Sequence, residues 1–144
     1  MKINNFGPHS EIRFTETERI FLLKNEVCRI ATSHDDIPHV VPVSYICDID
    51  TITLVTDYGT RKYRNLKLNK NASVVVDIYD SIKGNKGIVI QGKAVLIKRG
   101  KEYNRLYQLF NKRFEWVRKN PWKEGEAPFV KMKPFNKASW GLNE

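Results

Sequence analysis

T-I-T-L-V-T-D-Y-G-T-R-K-Y-R-N-L-K-L, residues Thr51 to Leu68, changes periodicity halfway along. Thr51 to Thr56 is β-branched and alternating, as a half-buried strand is. Gly59 supplies a turn residue free of Cβ constraint, and Thr60 stands where a helix N-cap belongs. Beyond it Tyr63, Leu66 and Leu68 fall at roughly helical spacing, leaving Arg64, Lys67 and Lys70 to solvent. The segment therefore reads as a strand that turns tightly into a helix. Arg61 and Lys62 are then out of place, because two cations in a first helical turn oppose the macrodipole, which favours acids there. A bound anion removes the conflict: free backbone N–H groups, the Thr60 hydroxyl and the two cationic side chains together suit a dianionic phosphate. A basic helix bathed in solvent fits the same letters.

The whole chain has 144 residues, the size of one compact domain over 1–144, with core enough to need no disulfide or metal staple. Cys28 and Cys47 lie far apart in apolar, strand-like runs and read as buried free thiols in a reducing compartment. His9, His34 and His39 lack zinc-ligand spacing. Met1 to Ser10 has no apolar core of a secretory signal, and no run is long enough to span a bilayer, so a soluble cytoplasmic protein is expected. The net charge of +9 is uneven. Thr60 to Lys70 carries five cations and no acid, and Lys98 to Lys123 carries nine cations against two acids, leaving the remainder slightly acidic. Such clustering suggests an anionic partner: a phosphorylated small molecule, a nucleic acid or an acidic surface.

Thr15-Glu16-Thr17-Glu18 has capping-box spacing and opens a helix over about 15–25, with Ile20, Phe21 and Leu23 on its apolar side. Three strand-like runs follow, Val27 to Thr32, Val40 to Cys47 and Thr51 to Thr56, separated by polar turns short enough for antiparallel pairing. After the Thr60 helix come Ala72 to Tyr79 and Gly87 to Lys98, joined through Ser81 to Lys86 as a hairpin. Pro42 cannot donate to a ladder, so it demands an edge, a bulge or a place where something other than a strand pairs. Gly92 marks a bulge or a sharp bend. Five or six antiparallel strands with such bends favour closure into a small barrel with flanking helices. An amphipathic helix over about 100–119 presents Tyr103, Leu106, Tyr107, Phe110, Phe114 and Val117 on one stripe and stops before Pro121. Phe129 to Met132 and Ala138 to Gly141 read as a last strand or two.

The order of R-I-A-T-S (Arg29 to Ser33), I-P-H-V-V-P-V-S-Y (Ile37 to Tyr45), L-V-T-D-Y-G-T-R-K-Y-R-N-L (Leu54 to Leu66) and I-V-I-Q-G-K-A (Ile88 to Ala94) resembles the pyridoxamine phosphate oxidase-like flavin-binding split-barrel family. The likeness runs from about Glu18 to the C-terminus and implies a mainly β, antiparallel Greek-key split barrel. It further implies a homodimer that binds FMN, or in some branches a deazaflavin coenzyme, between two barrels. By position, Thr60, Arg61 and Lys62 match the part of the motif that holds the FMN phosphate, and Thr56 matches a threonine beside it. His39, Val40, Val41, Pro42 and Val43 match the strand beside the flavin ring, where a mid-strand proline leaves backbone groups free for the isoalloxazine edge. An ordinary edge-strand proline is the other reading of Pro42. Gln91 and Trp140 are candidates for contacts across the dimer, with a purely structural role as the other reading of each, and Trp116, Trp122 and Trp140 fall late in the chain as candidate interface anchors. The oxidases proper continue into a longer segment with an arginine-bearing substrate motif, whereas this chain ends P-F-N-K-A-S-W-G-L-N-E, so vitamin oxidation is not implied.

Three functions follow. In the first, a bound flavin carries the chemistry and reduces a small acceptor with a reduced nicotinamide; no catalytic side chain is needed, and none of the usual nucleophile or acid–base patterns is present. In the second, the same cleft stores or senses a flavin, deazaflavin or haem without turnover, with His34 or His39 as a haem ligand. The third is a basic barrel of oligonucleotide-binding type. It is disfavoured because the strand aromatics are few, chiefly Tyr45 and Tyr79.

Overall fold

Alternating burial builds the sheet in the computed structural model, which describes residues 2–5 and 12–142. His9 and the rest of 6–11 lie outside the described residues. The strands are β1 (Lys2–Asn5), β2 (Val27–His34), β3 (Ile37–Asp48), β4 (Thr51–Val55), β5 (Asn71–Asp80), β6 (Gly84–Ile97) and β7 (Phe129–Trp140). The helices are α1 (Glu16–Lys24), α2 (Arg61–Leu68), α3 (Lys101–Arg113) and α4 (Glu115–Lys119). All strand pairs are antiparallel, in the order β1-β7-β4-β3-β2-β5-β6, and β6 pairs back onto β7, so β2 to β7 close into the expected barrel. Cys28, Ile30, Val74, Val76, Ile88, Ile90, Ile52, Leu54, Val130 and Met132 fill its interior, and Phe21 and Leu22 of α1 join them. A second apolar cluster sets Tyr103, Leu106 and Phe110 of α3 against Ile46 and Phe129 on the outside of the barrel.

The barrel is split between β3 and β4. These strands pair only from Tyr45↔Leu54 to Asp48↔Thr51, so Ile37 to Ser44 of β3 has β2 on one side and no strand on the other. The Tyr45 N–H donates to the Glu26 carbonyl at 3.0 Å. With the β2–β3 register, this makes Val27/Ser44, Arg29/Pro42, Ala31/Val40 and Ser33/Pro38 the pairs that do not exchange hydrogen bonds. Pro38, Val40, Pro42 and Ser44 therefore aim their backbone polar groups at the open edge. Pro42 is an edge proline, as expected of one of its two readings. Two of these four positions lack an N–H, which also guards the edge against pairing with another strand.

The register of β6 on β7 slips between Gln91, opposite Asn136, and Gly92, opposite Pro134, leaving Phe135 bulged. A Cβ on Gly92 would stand 2.7 Å from the Lys133 carbonyl oxygen, so the bend excludes any side chain. The β2–β3 hairpin turns on Asp35 and Asp36, both left-handed with φ of 53° and 60°, a conformation that aspartate tolerates.

Four sequence expectations change. On α1 it is Phe21 and Leu22 that are buried, while Ile20 and Leu23 are exposed; Leu68 of α2 also faces outward. The long helix breaks at Phe114, which is extended at φ −117° and ψ 123°. Arg118 of α4 donates to the Asn111 and Lys112 carbonyls at 2.7 and 3.0 Å, satisfying the end of α3, while Phe114 and Val117 both stay buried. β1, which was not read from the sequence, pairs along β7, the one strand that spans both C-terminal runs.

The capping box on α1 forms, Thr15 accepting from Glu18 N–H and Glu18 from Thr15 N–H. Glu18 also reaches Lys137 Nζ at 2.5 Å and Ser139 Oγ at 2.8 Å on β7, and all of this is buried. Burial alone would raise the Glu18 pKa; the hydrogen bonds from Lys137, the Thr15 N–H and Ser139 outweigh it and hold the carboxyl below its usual value.

Candidate functional site

β4 delivers Thr56 to the mouth of the split, and α2 starts five residues on. Thr60 is the N-cap, accepting from Tyr63 N–H at 3.2 Å, and its Oγ1 lies 2.9 Å from Thr56 Oγ1. The two hydroxyls thus form one polar corner at the helix start. No acid sits in the first turn of α2. Arg61 is exposed, and Lys62 is buried at 8% exposure; among the described residues neither makes an ion pair. Burial pushes the Lys62 pKa down, with Cys28 and Asp57 as weaker opposing neighbours. A mostly buried lysine side chain at the positive end of a helix, without an ion-pair partner among the described residues, is a placement that an anion at that corner would complete.

A buried polar line ties this helix to the open edge. Asn65 Nδ2 donates to Thr32 Oγ1 at 3.0 Å, and Thr32 is the register partner of His39 on β3. His39, Val41 and Val43 are half-buried, while Val40 and Pro42 point outward and are exposed. Among the described residues His39 Nδ1 and Tyr63 Oη are buried without hydrogen-bond partners. Neither Thr32 nor Asn65 was singled out from the sequence; the only signal for Asn65 was an amide on a helix face otherwise read as apolar.

The structure brings Thr56, Thr60, Arg61 and Lys62 to one corner and links that corner through Asn65 and Thr32 to His39. Gln91 and Trp140 lie elsewhere. Gln91 is three strands away from Val40 along the row Val40, Ala31, Ser73, Gln91, about 14 Å across the sheet, and its side-chain oxygen accepts from Asn136 at 2.9 Å. Trp140 faces Gly87 at the far end of β7. The three tryptophans do not form one group. Trp116 and Trp122 stack at 6.3 Å beside Phe129, whereas Trp140 is the whole length of β7 away, about 36 Å along the strand. Cys28 and Cys47 are free thiols, raised by burial to about 12 and about 11, which keeps both protonated at neutral pH.

This constellation on a split barrel defines a flavoprotein-type fold. Residues 14–135 match the sequence model of the pyridoxamine 5'-phosphate oxidase family, and the chain belongs to that family. A conserved hypothetical protein from Mycobacterium tuberculosis is similar in structure, with a TM-score of 0.76 and 18% identity over 94% of this chain and 89% of that one. A FAD-binding protein from Mesorhizobium loti gives a TM-score of 0.65 at 19% identity, over 85% of this chain and 90% of that one. A heme binding protein from Mycobacterium smegmatis gives 0.72 at 14% identity, over 92% of this chain and 56% of that one. At these identities the likeness is one of fold. No curated protein matches the sequence.

Proposed function

We propose that this protein binds FMN at the start of α2 and acts as an oxidoreductase, reducing a small acceptor with a reduced nicotinamide. The observation that carries the reading is the acid-free first turn of α2, where Arg61 and a mostly buried Lys62, neither ion-paired among the described residues, flank the Thr56–Thr60 corner. Thr60 and the α2 N–H groups would bind the phosphate oxygens, with Arg61 and Lys62 supplying the charge. The open edge of β3 would orient the ring. Since Pro38 and Pro42 have no N–H, that edge offers donors at Val40 and Ser44 and carbonyl acceptors throughout. His39, Val41 and Val43 back this edge, with Val41 and Val43 packed on the core. When bound, the flavin supplies hydride or electron exchange; the chain holds it, aims it and keeps water from one of its faces.

The same reading takes the protein to be a homodimer of the cytoplasm. Val40 is 64% exposed on the outer face of β3, beside the row Pro42, Arg29, Val75 and Val89, a mixed outer face of apolar side chains and one cation that would meet a second barrel. Gln91, in the row of Val40, would then reach the partner's cofactor. Among the described residues no helix is long and apolar enough to cross a membrane. The family's binders without turnover are the competing reading, and the M. smegmatis heme binding protein shares the fold. The visible spectrum of the freshly purified protein separates them: two flavin bands, bleached by a reduced nicotinamide and restored by an acceptor, are expected. A single strong Soret band would replace the flavin with haem, and flavin bands that no donor bleaches would leave binding without turnover.

A further inference from the structure

We propose that a cavity between the β3–β4 turn, β7 and the segment leading into α1 binds a small anion with an apolar body, an aromatic or medium-chain carboxylate, at a site separate from the cofactor cradle. The cavity encloses about 340 Å³, within the range of small-molecule sites. Thr51 lines it, five residues before Thr56, which sets it about 17 Å along the strand from the phosphate corner.

Four cations and two carboxylates line the cavity, and both carboxylates are already committed. Asp48 holds Arg105 at 2.6 Å, and Asp50 accepts from Arg19 at 3.3 Å and from the Phe14 N–H at 3.0 Å. Arg105 and Lys131 are likewise held, each by Glu102 at 2.7 Å. Arg13 and Lys133 are the cations that remain. Both are exposed, and neither joins an ion pair among the described residues. Arg13 offers the planar fork that takes a carboxylate in two parallel bonds, and Lys133 a second positive charge.

The rest of the lining is hydrocarbon. Ile12 and Pro134 are buried, whereas Ile49 lines the same cavity and is 71% exposed. Ile49 also stands in the left-handed region, at φ 56°, where a β-branched side chain is strained. Asp35 and Asp36 take the same conformation in the β2–β3 turn with side chains that tolerate it. Since Ile49 belongs to neither apolar cluster, packing within the chain does not offset its strain. The apolar body of a ligand laid against it would, and the two remaining cations would take that ligand's charge.

Calorimetric titration with naphthoate, its neutral counterpart naphthylmethanol and acetate, each with and without FMN, tests this. Naphthoate is expected to bind at least about tenfold more tightly than the alcohol or acetate, with an affinity that FMN leaves unchanged. Replacing Arg13→Gln and Lys133→Gln together should remove its advantage over the alcohol. Ile49→Asn should weaken naphthoate by about fivefold or more yet leave the unliganded protein at least as stable in denaturant, a combination that a merely structural isoleucine would not give. Equal binding of naphthoate and the alcohol, or an affinity indifferent to Ile49→Asn, would overturn the inference. Displacement of naphthoate by FMN would overturn it too, by placing the anion in the cradle, and no binding of naphthoate at all would overturn it while leaving the cradle standing.

Discussion

Lys62 is the residue on which the electrostatics of the site turns, because its side chain is mostly buried and, among the described residues, meets no carboxylate at ion-pair distance. Its pKa is depressed in the unliganded protein. A phosphate beside it would raise that pKa again, so binding takes up a proton and FMN affinity must fall as pH climbs through the depressed value. Above about pH 7 the phosphate monoester is already dianionic, and the loss belongs to the protein. Titrations of FMN between pH 7.5 and 10 should show this decline, and Lys62→Gln should bind more weakly with a flatter profile. An affinity independent of pH in the parent would place the phosphate elsewhere. The Thr60 cap and the misplaced cations were legible in the sequence because they depend only on neighbours within one turn. The burial of Lys62 and the Asn65 to Thr32 bond were not, since they arise where α2 lies on β2, more than thirty residues away in the chain.

At the scale of elements, α1 is held to β7 by Glu18, Lys137 and Ser139. Removing one partner of a buried pair strands the other, so Lys137→Met should cost about 3–5 kcal/mol in denaturant unfolding at pH 7. The acid dependence has a definite sign. Glu18 titrates below its ordinary value when folded, so its contribution is present above the unfolded value, about 4.3, and is lost as pH falls through the depressed one. Glu18→Gln should therefore be less stable than the parent at pH 7 and lose less on acidification; identical acid profiles would show that the clasp contributes nothing. The capping box made the start of α1 readable, yet the face it buries was misread, because the pull on Glu18 comes from the other end of the chain. The break at Phe114 escaped for a related reason. Apolar spacing runs unchanged through Phe110, Phe114 and Val117, and only the tertiary reach of Arg118 to the α3 carbonyls reveals the interruption. The strands were legible from alternation, and Gly92 and Pro42 gave their own physical reasons: one lies against a backbone oxygen, the other on an edge without a partner.

For the whole molecule, Gln91 lies three strands from Val40 on the same outer row, about 14 Å across the sheet. In the proposed dimer the outer faces carrying Val40 and Val89 would meet and bring Gln91 to the partner's cofactor. Sedimentation at micromolar concentration with cofactor bound should give twice the chain mass of 16.8 kDa. A monomer that keeps its flavin would remove Gln91 and Trp140 from the site.

The most direct test of the phosphate cradle compares FMN with riboflavin, which differs only in lacking the phosphate, on the parent and on the Arg61→Gln, Lys62→Gln double variant. Two charge-assisted contacts disappear, each worth about 1.5–3 kcal/mol, so FMN affinity should fall by about two orders of magnitude or more while riboflavin affinity stays the same. The unliganded variant should be at least as stable as the parent, two cations having left a helix N-terminus. Unchanged FMN affinity, or equal losses for FMN and riboflavin, would contradict the cradle.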